Sequence, residues 1–261
     1  MTRRLSALGS ASIGLLLVAC GGVASSSPPS PSAAPKLSGT LTVLAAASLT
    51  GAFTKIGDNL HAKNPDLDVK FSFGGTPSLV AQIQQGAPAD VFASADQKNM
   101  QTVVAGGFNS GTPRVFAHNK LEIVVGAGNP KHISSVSGLA NPSVKVDVCA
   151  PAVPCGSYAT TVFGKAGVTV TPVSQEQDVK SVLSKVSLGE ADAGIVYVTD
   201  VKSAGSTVQG VQIPENLNVT ADYPIVELTS EQNSNAARAF VESVLGSQGQ
   251  KVLASFGFIT V

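Results

Sequence analysis

Residues 41–50 read LTVLAAASLT, and this stretch decides how the rest of the chain is interpreted. Its first half is an apolar run, which is typical of a strand buried on both faces of a sheet. Small and hydroxyl-bearing residues follow, and then Leu49, Phe53, Ile56 and Leu60 recur at the spacing of one helix face. A strand, a turn of small residues and the start of a helix therefore follow one another directly.

The same order of elements repeats along the chain from about residue 39 onward. Apolar or alternating runs predict further strands over residues 69–73, 91–93, 121–125, 144–148, 168–173 and 194–198. Helical periodicity predicts helices around residues 79–83, 179–186 and 240–256. Repeated strand–helix units are typical of an α/β protein with mostly parallel sheets, which bind ligands at the carboxyl ends of their strands.

The N-terminal segment is predicted to lie outside the folded domain. Two arginines precede a short apolar stretch that ends in LVAC at residues 17–20, an order typical of a bacterial lipoprotein signal. We predict a signal peptide over residues 1–19, a lipid on Cys20 and a Ser- and Pro-rich tether over residues 20–38. The protein is then expected on the outer face of the cell membrane. The alternative is a plain secretory signal with a chance cysteine.

The charge balance gives no indication of a strongly basic surface. Lysine plus arginine number 17, as do aspartate plus glutamate, so no nucleic-acid partner is indicated. Removal of Arg3 and Arg4 with the signal peptide takes the 17 basic side chains to 15 against 17 acidic ones. An anion-binding protein with this balance must hold its ligand by local groups rather than by bulk attraction.

Five segments combine a strand end, small or hydroxylic residues and a helix start. They are residues 45–50, 73–79, 154–157, 177–179 and 195–197. Small residues let backbone N–H groups approach a ligand closely, and a helix N-terminus adds unpaired N–H donors with a partial positive charge. Ser48 and Thr76 would add hydroxyl donors. Serine and threonine also start helices simply as N-caps, so the residues alone leave both interpretations open.

These segments resemble the molybdate-binding proteins of bacterial ABC importers. The resemblance is carried by AAASLT at 45–50, QIQQGAPAD at 82–90, SAD at 94–96 and GIVY at 194–197, in order and at compatible spacings. It covers nearly all of residues 39–261. It implies a type II periplasmic-binding fold, in which two α/β lobes enclose a ligand cleft.

The resemblance also implies the lobe boundaries and the partners. Lobe I would comprise residues 39–115 and 224–261, and lobe II residues 116–223. The protein is expected to be a monomeric binding protein rather than an enzyme, with no cofactor and no protein-coordinated metal cation. It would hold molybdate, or tungstate, by hydrogen bonds and deliver it to the permease subunits of an ABC importer.

The resemblance further implies which residues bind the ion. The donors would be the hydroxyl groups of Ser48, Thr76 and Tyr197 and the backbone N–H groups of Cys155 and Val179. Ala47 and Ser78 are further candidates. Pro77 removes one backbone donor from the second segment, and Ser78 could replace it.

Two cysteines remain once Cys20 is assigned to the lipid. An even pair in an exported protein favours a disulfide between Cys149 and Cys155. The bridge would stiffen the loop that presents the Cys155 N–H group. The chain-entropy estimate for so short a loop is about 2 kcal/mol.

A site built only of donors suits a dianion that carries no proton. Molybdate and tungstate are fully deprotonated at neutral pH, whereas hydrogenphosphate carries a proton that needs an acceptor. Sulfate is also a bare dianion and remains the main alternative ligand. A serine hydrolase is an alternative from another class, but G-x-S-x-G is absent and His61, His118 and His132 are widely spaced.

Overall fold

The computed structural model describes residues 36–261, so the predicted signal peptide (1–19), the lipidated Cys20 and most of the tether (20–38) lie outside the described residues. Its strands are β1 Gly39–Ala46, β2 Leu67–Gly74, β3 Val91–Ala93, β4 Asn109–Gly126, β5 Val146–Cys149, β6 Ser174–Glu176, β7 Ala193–Tyr197, β8 Val208–Gln212, β9 Thr220–Leu228 and β10 Ile259–Thr260. Its α-helices are α1 Thr50–Lys63, α2 Thr76–Gln84, α3 Gln97–Ala105, α4 Pro154–Ala166, α5 Val179–Ser187, α6 Val198–Ala204, α7 Ser234–Leu245 and α8 Ser247–Phe256.

Strand β4 belongs to two groups of strands. On one side the order is β2-β1-β3-β9-β4, and on the other it is β4-β7-β5-β6. Up to Lys120, which lies opposite Thr220, β4 pairs with β9. From Leu121, which lies opposite Tyr197, it pairs with β7. Each group carries its own helices, so two α/β lobes are joined through one long strand. The boundaries at residues 115/116 and 223/224 stay a prediction.

Parallel pairing dominates the strands that carry the predicted binding segments. In lobe I, β1 pairs in parallel with both β2 and β3, while β9 runs antiparallel to β3. In lobe II, β5 pairs in parallel with β6 and β7. Parallel strands place their carboxyl ends at the same edge of a sheet, which is where a ligand site is expected.

The apolar periodicity identified the core correctly in lobe I. The predicted helix face is buried in α1, where the Phe53 ring lies 5.5 Å from the ring of Phe116 and 5.4 Å from that of Phe240. Aromatic rings at these separations stabilise the core beyond their buried area. This cluster fixes α1 against the sheet, and α1 follows directly from the turn at residues 47–49.

One predicted strand is wrong. Residues 168–173 form no strand, and β6 begins afterwards at Ser174. Val168 and Val170 are partly buried against the hydrophobic core without joining a ladder, which explains the apolar alternation. Strand β4 is also longer than predicted, because its polar first part pairs with β9.

Asp147 is a buried acid in the core of lobe II. Its side chain, on β5, is fully buried, and neither carboxylate oxygen has a hydrogen-bond partner among the described residues. Burial, reinforced by the negative charge of Glu176, raises the pKa of Asp147 to about 6. The charged form of this residue therefore destabilises the folded state.

We expect the Asp147→Asn substitution to remove a pH-dependent loss of stability. Because the folded-state pKa lies above the unfolded one, the contribution of Asp147 is fully present below about pH 4 and is lost as pH rises through about 6. The free energy of unfolding of the variant, relative to the wild type, should therefore increase over this range and level off above it.

Urea unfolding followed by circular dichroism from about pH 4 to pH 8 measures this difference. The exposed strand acid Asp68, substituted as Asp68→Asn, is the control and should show no comparable trend. A difference between the Asp147→Asn variant and the wild type that is constant with pH would contradict the assignment.

Candidate functional site

A small buried cavity lies where strand ends of the two lobes meet. It has about 10 Å³ of space for the centre of a water-sized sphere and is lined by Ala46, Ala47, Ser48, Gly74, Gly75, Thr76, Ala95, Val153, Pro154, Cys155, Asp178, Val179 and Tyr197. About 10–15 Å³ of such space is enough for one water molecule. The cavity is therefore of a size for a small ion rather than for a sugar or a peptide.

The register of two parallel strands creates the lobe I wall. Ala46 at the end of β1 lies opposite Gly74 at the end of β2. Beyond these residues the chain turns at once into the 3-10 turn Ala47–Leu49 and, through Gly75, into α2. The first two predicted segments, separated by about one strand–helix unit in sequence, thus become neighbours at one sheet edge.

The lobe II wall is built from the starts of two helices and the end of a strand. Cys155 is the second residue of α4, Val179 is the first residue of α5, and Tyr197 ends β7. The N–H groups of the first helical turn have no acceptor within the helix, and they carry the positive end of the helix dipole. The backbone of Cys155 and Val179, like that of Thr76 at the start of α2, is therefore suited to bind an anion.

Three hydroxyl groups complete the set of donors. Ser48, Thr76 and Tyr197 are almost completely buried, with 6%, 1% and 1% of their surface exposed. The Tyr197 hydroxyl has no hydrogen-bond partner among the described residues. Burial raises the pKa of Tyr197 well above its usual value, so this group remains a protonated donor at neutral pH. An unpaired buried donor that lines a cavity points to an acceptor on a ligand.

The cavity brings together Ser48, Thr76, Cys155, Val179 and Tyr197, as well as Ala47, but not Ser78. Ser78 is exposed, and its N–H group donates to the carbonyl oxygen of Gly75, the residue before α2. Pro77 lies in the first turn of α2, where an N–H group would lack an intrahelical partner in any case. The structure therefore favours Thr76 over Ser78 as the second hydroxyl donor.

The lining contains no basic side chain and one acidic side chain. The carboxylate of Asp178 caps α5, and its two oxygens accept from the N–H group and the hydroxyl group of Ser181, each at 3.0 Å. The Asp178 carboxylate is thus already hydrogen-bonded at the start of α5. Across residues 36–261 there is no group of three or more His, Cys, Asp or Glu side chains that could hold a metal ion.

Sequence reasoning missed one residue beside the site. The hydroxyl oxygen of Tyr223, on β9, lies 2.9 Å from Ser48 Oγ. Tyr223 is separated from Ser48 by 175 positions and lies outside all five segments, so no local pattern pointed to it.

The two cysteines lie beside the cavity and are joined by a disulfide in the structure, with their Cα atoms 5.7 Å apart. Cys149 ends β5 and Cys155 lies at the start of α4. The bridge thus connects a central strand of lobe II directly to the helix start that lines the cavity.

Gly75 lies at a close contact between the two lobes beside the cavity. A Cβ atom at this position would overlap the carbonyl oxygen of Gln177, which belongs to the opposite wall. A second contact across the cleft joins the Tyr158 hydroxyl to the carbonyl oxygen of Ala95 at 3.4 Å. The enclosed cavity therefore depends on a residue without a side chain at position 75.

Comparison with known proteins gives consistent relatives along the whole folded region. The sequence pattern of the family described as bacterial extracellular solute-binding protein matches residues 41–259. The molybdate-binding protein of Mycobacterium tuberculosis H37Rv is 44% identical over 243 residues, which are 93% of this chain and 92% of that protein. That of Escherichia coli K12 is 30% identical over 230 residues, covering 84% and 89% of the two chains.

A solved structure shows the same architecture. The periplasmic molybdate-binding protein of Azotobacter vinelandii has a TM-score of 0.75 and 22% identity, covering 85% of this chain and 99% of that one. This likeness confirms the two-lobed periplasmic-binding fold expected from the sequence.

The Gly75→Ala substitution is expected to weaken ion binding by preventing closure. The added methyl group would press against the Gln177 carbonyl group, so the closed form would be less populated and the apparent Kd for molybdate, the ion expected from the sequence, would rise about tenfold or more. Isothermal titration calorimetry measures this Kd.

Gly126→Ala is the control for this prediction. Gly126 ends β4 outside the cavity, and a Cβ atom there would meet no heavy atom within 4 Å. Equal affinities for the Gly126→Ala and Gly75→Ala variants would show that Gly75 does not limit closure.

Proposed function

We propose that this protein binds molybdate, because the chain belongs to the bacterial extracellular solute-binding proteins and, within them, to the molybdate-binding proteins. In this role the protein captures the ion between its two lobes and delivers it to an ABC importer. Tungstate, which has the same charge and the same tetrahedral arrangement of oxygens, is proposed as a second ligand.

The observation that carries this proposal is the convergence of donors from both lobes on one buried cavity. The cavity is lined by three residues with hydroxyl groups, Ser48, Thr76 and Tyr197, and by two residues at helix starts, Cys155 and Val179. A donor to a charged group contributes about 1.5–3 kcal/mol. Several such donors, less the cost of desolvation and closure, support micromolar to nanomolar affinity, or about 8–12 kcal/mol.

The same geometry disfavours hydrogenphosphate. Its proton needs an acceptor, and the one acidic side chain in the lining, Asp178, is already engaged by Ser181. A buried donor facing another donor costs free energy because neither is satisfied. Sulfate has no proton and would meet the same donors, so it remains the second candidate ligand. Its S–O bonds are shorter than the Mo–O bonds of molybdate, so only the fit to the cavity can distinguish the two ions.

A hydrolase function finds no support near the buried serine. The hydroxyl partner of Ser48 is Tyr223. Two histidines are engaged elsewhere, since Nδ1 of His61 contacts the carbonyl oxygen of Leu67 and Nδ1 of His118 contacts Asp222. The relatives reported above are binding proteins, and we propose that this chain likewise has no catalytic activity.

We propose that the mature protein is a monomer tethered to the outer face of the cell membrane through a lipid on Cys20. The supporting observation is the LVAC sequence at residues 17–20, followed by a Ser- and Pro-rich stretch. Between residues 36 and 261, no helix has the length and apolarity that a membrane span requires. In this proposal the lipid on Cys20 supplies the membrane attachment, and the tether lets the domain reach the permease subunits.

Thermal melting of residues 39–261 tests the proposed ligand. Molybdate and tungstate should raise Tm, because ligand at about 100 times Kd adds about 2.7 kcal/mol to the stability of the folded state. Phosphate at the same concentration should leave Tm unchanged, and sulfate should have a smaller effect than molybdate. A melting curve indifferent to molybdate, or a larger shift with phosphate, would reject the proposal.

The hydroxyl donors can be tested one at a time by calorimetry, since the chain has no tryptophan to report binding. Ser48→Ala and Thr76→Val should each raise the Kd for molybdate by about tenfold to a hundredfold, because each removes a donor to a charged group. The exposed Ser78 provides the matched control, and Ser78→Ala should bind like the wild type. A larger loss in Ser78→Ala than in Thr76→Val would reverse the assignment.

A further inference from the structure

Tyr223 lies on β9, which pairs with β4, the strand shared by the two lobes, and its hydroxyl group reaches the binding site. It is fully buried on β9, opposite Ala117 of β4. Its hydroxyl oxygen lies 2.9 Å from Ser48 Oγ, yet Tyr223 is not among the residues that line the cavity. It can therefore act on a bound ion through Ser48 but not by touching the ion.

We propose that Tyr223 is a positioning residue whose hydroxyl donates to Ser48 Oγ and thereby directs the single Ser48 proton to the bound anion. This inference rests on the proposed function, because it requires an anion that accepts from Ser48. The affinity of the site for the anion then depends in part on Tyr223, a residue outside the cavity lining.

The direction of these hydrogen bonds follows from the number of protons available. A serine hydroxyl group has one proton and two lone pairs, and a tyrosine hydroxyl group can likewise donate once. Molybdate carries no proton, so it can only accept. If Ser48 donated to Tyr223, its lone pairs would face a dianion in a buried site, which is strongly unfavourable. The arrangement that satisfies all three groups is Tyr223 to Ser48 to the anion.

The surroundings of Tyr223 keep its hydroxyl group a donor. Burial raises the pKa of Tyr223, so the phenol stays protonated at neutral pH. Consecutive hydrogen bonds in a buried site polarise one another, so a proton donated by Tyr223 strengthens the donation from Ser48.

The ring of Tyr223 is fixed from several sides. It makes edge contacts with Phe116, Tyr197 and Phe258, at centroid distances of 6.3, 6.0 and 5.4 Å. Because these contacts involve the ring and not the hydroxyl group, Tyr223→Phe removes the proposed donor while keeping the packing. Tyr223 thus contacts two predicted ligand residues, Ser48 through its hydroxyl group and Tyr197 through its ring.

A double-mutant cycle tests the proposal, with the Kd for molybdate measured by calorimetry in the wild type, Tyr223→Phe, Ser48→Ala and the double variant. Tyr223→Phe alone should raise Kd by about threefold to tenfold. In the Ser48→Ala background the same substitution should change Kd by less than about twofold, because the relay no longer exists. Melting of the ligand-free proteins separates a general loss of stability from this effect.

Two results would overturn the proposal. The first is an equal fold-loss for Tyr223→Phe in both backgrounds, which would indicate a structural role or a direct contact with the ion. The second is an unchanged Kd in Tyr223→Phe. If the wild type itself does not bind molybdate, the proposed function fails and this inference fails with it, so the two failures are distinguishable.

A second measurement does not depend on the folding of the Tyr223→Phe variant. The chain has three tyrosines, so protein labelled with 3-fluorotyrosine should give three fluorine resonances. Those of Tyr158 and Tyr197 can be assigned by Tyr158→Phe and Tyr197→Phe, and the remaining one belongs to Tyr223. Saturating molybdate should shift the Tyr223 resonance in the wild type and much less in Ser48→Ala; equal shifts would contradict the relay.

Discussion

A dianion buried without a counter-charge has to be met by neutral donors from several directions at once, and this requirement governs the whole structure. In water the ion is surrounded by hydrogen-bond donors, and a buried site must replace all of them or lose the ion. Helix N-termini are the densest source of unpaired N–H groups in a protein. The α/β fold supplies several of them at the carboxyl ends of parallel strands, one wall from each lobe.

The acidic residues near the site hold the donors in place. Asp178 caps α5, whose first residue is Val179. Asp200 is fully buried, accepts from the Tyr197 N–H group at 3.1 Å and pairs with Lys180 at 2.9 Å. Burial raises the pKa of Asp200. Asp178 and Asp200 thus accept from backbone N–H groups at the starts of α5 and α6.

The contact between the two lobes and the proposed binding of an ion depend on the same arrangement of residues. Donors from a single lobe could meet only one side of an ion. In the structure Gly75 lies against the Gln177 carbonyl group, and residues of both lobes line the cavity. The buried ring of Tyr223 contacts groups from both walls. An ion that completes the donor set therefore favours the same closed arrangement that the packing allows.

Local patterns of apolar periodicity and of small residues at strand ends predicted the α/β class, the helix face of α1 and the five segments that contain Ser48 and Thr76. The assignment of Cys155, Val179 and Tyr197 as donors came from the resemblance to a family. The sequence by itself could not separate an anion site from ordinary helix caps without the resemblance to a family, and it misplaced the strand near residues 168–173. Tertiary structure alone excluded Ser78 from the cavity, added Tyr223 and gave Gly75 its part in closure. These features depend on which strand ends become neighbours and on how closely two lobes approach. Such distances are set by the packing of residues far apart in the chain, and no short stretch of sequence records them.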